Sequence, residues 1–485
     1  MMRLILLLHR YLGIAVGVLM TLWCLSGFVM MYRGYPHLAE AARLRGLEPL
    51  RWTGCCAAGR LDDWAGRSRF RVEMLAGRPV MRAPSPDGLQ TLDLTAGAPA
   101  GPLSAAAVQA VAAGYARGAG VAGRASDLGV IADDQWTVEG SGQRGPVHHL
   151  RFDDPKGTEL YIADRTGEVV QATTRADRFW GWLGAVPHWL YPTLLRRNAP
   201  LWDSVVVWTS LIGCFLTVTG LYVGIVRFRR YANGRWSPYR GWTFWHHLSG
   251  LVFGVLTLTW VASGLMTMNP WGLLDTPVGY AQRQRLAGEV PAAEVRRFLP
   301  AAPGRVGADV VQLDAAPLAG HLFVMATTAE GLRTRLDADA HPAPLAGLEV
   351  IAAVLAAHGP ALAQLTRLDH EDAYYYSGYD GPAVLPVYRA RLADREATTL
   401  YIDAGSGQVV QAIDGTARAS RWLRTGLHDW DFDGLRRRPV WDLVVLTLLA
   451  GVTVVCALGA WLGIKRLCRD LAGLARRRRP RPASS

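Results

Sequence analysis

Histidine is the residue type in this chain whose placement invites chemistry. His246 sits near the start of an almost uncharged run, Trp242 to Met268. As a helix rising about 1.5 Å per residue, that run can cross a hydrocarbon core of roughly 30 Å. An ionisable side chain inside such a span is costly and by default marks a functional site facing the bundle interior. His9 holds the matching place in the run Leu4 to Tyr32, while His188 and His428 stand just ahead of two further apolar runs, Trp202 to Phe228 and Val440 to Ile464. Sorted by depth they form two pairs, His9 with His246 toward one face and His188 with His428 toward the other. Imidazole is a common axial ligand of haem iron, and two histidines on one iron leave no open position, a state suited to electron transfer rather than oxygen chemistry. The bland alternative has each histidine hydrogen-bonding a carbonyl within a helix bundle. His247 is the fallback ligand beside His246, but on an ideal helix it points about 100° away. Gly250 and Gly254 follow His246 at i+4 and i+8, as Gly13 and Gly17 follow His9. Each pair of glycines bares one helix face, for a flat ligand or for close helix packing.

The elements that position these histidines repeat. Aligning His9 with His246 also superposes Gly13 on Gly250, Gly17 on Gly254, Trp23 on Trp260, Ser26 on Ser263, Gly27 on Gly264 and Met31 on Met268. Leu160-Tyr161-Ile162 recurs as Leu400-Tyr401-Ile402, Val169-Val170-Gln171-Ala172 as Val409-Val410-Gln411-Ala412, and Trp182-Leu183 with His188 as Trp422-Leu423 with His428. With one residue of slippage, Pro200, Trp202 and Asp203 match Pro439, Trp441 and Asp442. The expectation is a tandem duplication, one structural unit used twice.

Composition agrees with a membrane protein that has large water-exposed parts: 485 residues, 50% hydrophobic, with 18 Trp and a mean hydropathy of +0.12. A net charge of +12 would ordinarily raise nucleic acid as a partner. Its distribution excludes that reading, because Arg3, the arginines from Arg227 to Arg240 and the basic residues from Lys465 to Arg481 account for the whole excess. All of them flank apolar spans, as the positive-inside rule requires of cytoplasmic segments. The organisation expected is therefore a first span at 4–32, an outer module at 33–199, a second span at 202–228, a cytoplasmic hinge at 229–241, a third span at 242–268, a second outer module at 269–439, a fourth span at 440–464 and a basic cytoplasmic tail at 465–485. A cleaved signal peptide competes for the first span, but the run is too long for an ordinary signal core. No cytoplasmic segment is long enough to bind a flavin.

Each outer region reads as a small α+β module, with a helix at Leu103 to Ala113 and two short strands across a turn from Leu160 to Val170. Four smaller features are set aside. Cys55 and Cys56 are adjacent, and adjacent cysteines rarely bridge; the six cysteines form no zinc or Cys-x-x-Cys pattern. His148 and His149 look like surface residues of outer strands, with metal contact as the lesser option. Gly118 to Gly123 spells GxGxxG, yet it follows a helix instead of opening one after a strand. Tyr374 to Tyr379 reads as a packed strand more than as a substrate platform.

The His-x3-Gly helix at His9 and Gly13 and again at His246 and Gly250, four spans, two outer modules and the strand pair ending Thr166-Gly167-Glu168-Val169-Val170 resemble the PepSY-associated transmembrane-helix family. The resemblance implies b-type haem in the membrane. For the branch of inner-membrane ferric-siderophore reductases it implies electron delivery to iron complexes in the periplasm. On this reading the chain is a multi-pass protein of the bacterial inner membrane with both termini cytoplasmic. Two b haems would be held by His9 with His246 and by His188 with His428, taking electrons from a cytoplasmic or quinol donor and passing them to a ferric siderophore or another periplasmic acceptor. Two other classes compete. One is a siderophore or metal uptake component without redox work, against which the spans show no broken-helix pair. The other is a membrane-anchored PepSY module that binds or regulates an outer partner, which would leave the membrane histidines unexplained.

Overall fold

The computed structural model describes residues 2–56, 68–86, 88–378 and 381–477. Tyr379 and the last eight residues of the basic tail, 478–485, lie outside the described residues. Four helices are long and apolar enough to cross a membrane: α1 (Met2–Met30), α2 (Ala199–Arg227), α3 (Gly241–Thr267) and α4 (Val440–Arg477). They belong to one compact unit made of residues 1–35, 179–275 and 419–485. Within it α1 packs on α2 and α4, and α3 packs on the same two helices. The outward faces carry Leu4, Val18, Trp208, Ile225, Val255 and Leu443, all exposed. A helix that is apolar all round suits lipid on one side and protein on the other. α4 continues well past the expected end at 464. Leu, Ala and Arg dominate the sequence after Ile464, no glycine stands there before Gly473, and no proline before Pro480, so helix propensity carries the backbone onward.

The second unit comprises residues 36–178 and 276–418. Its strands are β1 (Arg71–Leu75), β2 (Arg78–Ser85), β3 (Gly88–Asp93), β4 (Ala98–Pro99), β5 (Ala125–Ile131), β6 (Val147–Phe152), β7 (Glu159–Ala163) and β8 (Val169–Thr173) from the first stretch. The other stretch gives β9 (Val310–Ala315), β10 (Val324–Thr328), β11 (Arg333–Leu336), β12 (Leu362–Leu368), β13 (Val387–Leu392), β14 (Thr399–Asp403) and β15 (Val409–Ile413). Strands β5 to β8 form one four-stranded antiparallel sheet in chain order, and β12 to β15 form another. Each is covered by a helix. Val108, Ala112 and Tyr115 of helix Ala105–Ala119 pack on Leu150, Leu160 and Ile162. Val350, Ala353 and Val354 of helix Gly347–His358 pack on Ala390, Leu400 and Ile402. Both sheets shift register just after a buried tyrosine, between Tyr161 and Ile162 and between Tyr401 and Ile402. The tyrosine hydroxyls donate to Asp134 (2.7 Å) and Asp372 (2.9 Å), as a buried phenol requires.

One expectation needs correcting at this scale. The stretches 36–178 and 276–418 do not form separate modules, because β1 pairs with β9 and so joins them in one seven-stranded sheet of order β11-β10-β9-β1-β2-β3-β4. Its core mixes Val72, Met81 and Leu92 from the first stretch with Leu313, Val324 and Phe298 from the second. Neither part of the sheet would cover its own apolar residues alone.

The smaller readings also resolve. Cys55 and Cys56 are bonded to each other, contrary to expectation. Gly54 (φ 70°) and Cys56 (φ 74°) are both left-handed, and that tight local backbone lets neighbouring side chains meet. His148 is buried and bonds Asp164 (Nε2 to Oδ1, 2.9 Å), while His149 stacks on Tyr161 at 4.7 Å. These histidines are packed, not surface, residues, and among the described residues no group of three or more His, Cys, Asp or Glu is gathered as a metal site. Ala373 to Tyr375 form a bend, and Tyr376 has no regular structure, in place of the expected strand. The Asp372 carboxylate accepts the backbone N–H of both Tyr374 and Tyr375 at 2.9 Å, which competes with strand pairing. The helix expected from Leu103 starts at Ala105 behind a Ser104 cap and runs to Ala119, six residues past the expected end, so the GxGxxG run is its closing turn. A Cβ on Gly118 would lie 1.5 Å from the Arg45 carbonyl oxygen, so this glycine serves close packing.

Candidate functional site

Each helix-borne histidine reaches its place by a local rule. His9 lies eighteen positions before Gly27 on α1, and His246 eighteen before Gly264 on α3. At the helical rise this separates the two levels by about 27 Å. At the first level the structure brings His9 to His246, with ring centres 6.3 Å apart and planes inclined by 30°. At the second, His188, closing the short helix Ala185–His188, meets His428, with centres 6.1 Å apart and planes inclined by 56°. A first-row metal bonds an imidazole nitrogen at about 2 Å and that nitrogen stands roughly 1 Å from its ring centre, so two axial imidazoles on one iron need about 6 Å between centres. Both pairs have that spacing.

The supports of the rings follow one scheme. His9 lies against Gly220 of α2, His246 against Gly459 of α4, His188 against Gly27 of α1 and His428 against Gly264 of α3. A Cβ at these glycines would stand 2.6, 3.1, 3.8 and 3.2 Å from the facing Cε1. His9 Nδ1 bonds the Leu216 carbonyl (3.0 Å) and His188 Nδ1 the Trp23 carbonyl (3.1 Å), each carbonyl belonging to the residue four before the facing glycine. A carbonyl only accepts, so the proton sits on Nδ1 and the lone pair falls to Nε2. Ser263 Oγ gives its own proton to the Trp260 carbonyl and therefore accepts from His428 Nδ1 at 3.1 Å. His246 Nδ1 is buried, and the group it faces is the backbone of Val455, likewise four residues before its facing glycine, Gly459. Burial, with the His428 ring beside it, lowers the His188 pKa to about 4, so this ring is the neutral form that ligates metals. Between the two levels, Val16, Met20, Leu216, Val452 and Cys456 form an apolar plug flanked by Trp23, Cys24, Phe253 and Trp260.

Placement separates the other residues singled out above. His247 belongs to neither pair: Ser237 lies on its Nδ1 (2.9 Å) and the Gly224 carbonyl on its Nε2 (2.9 Å). Gly17 and Gly254 serve helix packing, facing the Ala460 backbone and Leu221, whereas a Cβ on Gly250 would meet nothing within 4 Å and one on Gly13 only Leu216 at 3.9 Å. Open ground one turn beyond His9 and His246 leaves room for a flat group. Sequence reasoning missed Gly220 and Gly459 as supports. The signal was present, because the one-residue slippage that matches Trp202 with Trp441 also matches these two glycines.

No curated protein matches the chain. A family model described as the PepSY-associated TM region matches residues 6–466, nearly the whole length. The chain belongs to the PepSY-associated transmembrane family.

Proposed function

We propose that this protein is an inner-membrane dihaem b electron-transfer protein that passes electrons from a cytoplasmic or quinol donor to a periplasmic acceptor, a ferric siderophore being the acceptor the family reading favours. The observation that carries the reading is the meeting of two histidine pairs, 6.3 and 6.1 Å between ring centres, at positions that coincide when the two halves of the sequence are aligned. His9 and His246 would hold one haem, and His188 and His428 the other. Haem so ligated cycles between ferric and ferrous states and carries one electron at a time. The chain's own residues orient the imidazoles through the Leu216 and Trp23 carbonyls and Ser263, keep water out of the plug between the levels, and leave no protein ligand position open. No Cys-x-x-Cys-His attachment motif is present, so haem would be bound without covalent links. The test is the reduced-minus-oxidised absorbance spectrum of protein purified from haem-replete cells. Two b-type components are expected, one lost in His9→Ala and His246→Ala and the other in His188→Ala and His428→Ala. A colourless preparation refutes the redox reading, and loss of the same component in all four variants refutes the pairing.

A further inference from the structure

His247 is the buried histidine of the helical unit that belongs to neither pair. It forms part of the wall of a cavity of about 480 Å³ where α2 ends and α3 begins, lined by Phe228, Arg235, Trp236, Phe244, Leu248 and Leu251 together with Ser237. That volume falls within the roughly 300–1,000 Å³ usual for small-molecule sites. Phe228 and Trp236 stack at 5.7 Å, inclined by 25°, and Phe244 adds a third ring to a mostly apolar lining. The polar atoms are few. The Gly224 carbonyl can only accept, so His247 Nε2 carries the proton and Nδ1 accepts from the Ser237 hydroxyl. Arg235 is the one charged side chain in the lining.

We propose that this cavity binds the ring of a membrane quinol, whose oxidation to the quinone gives up two electrons, one at a time, and two protons, making it the donor site for the redox reading above, on which the proposal rests; the electrons would pass to the group held by His9 and His246 and the protons to water at the hinge. Flat aromatic walls match a flat ring better than a phosphate headgroup, which would call for several cations where the lining offers Arg235 alone. Arg235 can donate to a quinone carbonyl, and His247 Nδ1 can accept from a quinol hydroxyl in place of Ser237. Leu248 and Leu251 lie on α3, one of the membrane-crossing helices, and offer an apolar path for a prenyl tail. The cavity also adjoins His246 in sequence, so a ring held here stands next to the level of the His9 and His246 pair.

The experiment uses the full chain in phosphatidylcholine nanodiscs and a photoreactive azido-benzoquinone with a short alkyl tail. Expected is labelling within residues 228–251 that decyl-ubiquinone competes away. The affinity should weaken about tenfold or more in Trp236→Leu, an exposed hinge side chain whose loss removes one aromatic wall, and in Leu248→Phe, which fills the cavity instead. Label outside 228–251, or unchanged affinity in both variants, overturns the site. So does labelling that falls when phosphatidylglycerol is added but does not respond to decyl-ubiquinone, since the cavity would then hold a lipid headgroup. The haem spectrum of the same sample separates the two readings. Labelled cavity without haem sinks the redox reading and leaves the site, and haem without a labelled cavity does the reverse.

Discussion

At the scale of single residues, the site depends as much on four glycines as on four histidines. An imidazole can lie flat against a neighbouring helix only where that helix lacks a side chain, and the tightness of fit is graded. A methyl group at Gly220 would stand 2.6 Å from His9 Cε1, but at Gly27 it would stand 3.8 Å from His188 Cε1, an ordinary contact. Gly220→Ala should therefore displace the His9 ring, at a cost of about 1–3 kcal/mol for overpacking, and lower or shift the component assigned to that level. Gly27→Ala should leave its component within error of the parent. Spectra of the two variants, normalised to protein, check the order. Equal effects would mean that the glycines serve helix packing alone.

At the scale of elements, the seven-stranded sheet is stapled by a buried carboxylate. Glu73 on β1 is bonded by Arg43 (2.6 Å), Arg71 (3.0 Å) and Arg82 (2.5 Å), and Arg43 also bonds Gln312 of β9. Burial alone would raise the Glu73 pKa, but Arg82, Arg71 and Arg43 outweigh it and hold it below the usual carboxylate range. A depressed folded-state pKa contributes stability that is present above the unfolded value of about 4.3 and is lost as pH falls through the folded value. Glu73→Gln removes the charge that three guanidinium groups share, and breaking a buried pair costs about 3–5 kcal/mol. The variant should melt at a lower temperature than the parent at neutral pH. Its melting temperature should also fall less than the parent's between about pH 5 and pH 3. Parallel pH curves for parent and variant would show that Glu73 is not the titrating group.

At the scale of the whole molecule, two expectations concern the halves of the chain. Because β1 pairs with β9 and the core of the shared sheet takes residues from both stretches, neither 36–178 nor 276–418 should fold by itself. Expressed separately, each should lack a cooperative melting transition, while the two linked or co-expressed should show one. A cooperative transition in either piece alone would make the shared sheet dispensable. Orientation follows from charge. With the basic excess at the hinge and the C-terminal end, fusions of a periplasm-active reporter should be active within 36–178 and 276–418 and inactive in the hinge and after Lys465. Activity in the hinge would reverse the orientation and with it the proposed direction of electron flow.

What the sequence determined by itself is what short-range periodicity encodes. Four apolar runs become four membrane-length helices because hydrophobicity and length are local properties. The pairing of His9 with His246 and of His188 with His428 could be read from depth alone, since a fixed rise per residue turns sequence position into height. The strand pair around Tyr161 was legible for the same reason, whereas the helix capped by Ser104 ran six residues past its expected end at Ala113. Tertiary structure alone decided that the stretches 36–178 and 276–418 share a sheet, because a strand's pattern shows which face it buries but not which distant strand it joins. It also decided which glycines face the histidines, since helix neighbours in a bundle are set by long-range packing that no period records. His247 shows both limits: helix geometry placed it off the face that His246 occupies, while only the folded hinge, bringing Ser237 and Trp236 to the end of α2, gave that other face a cavity.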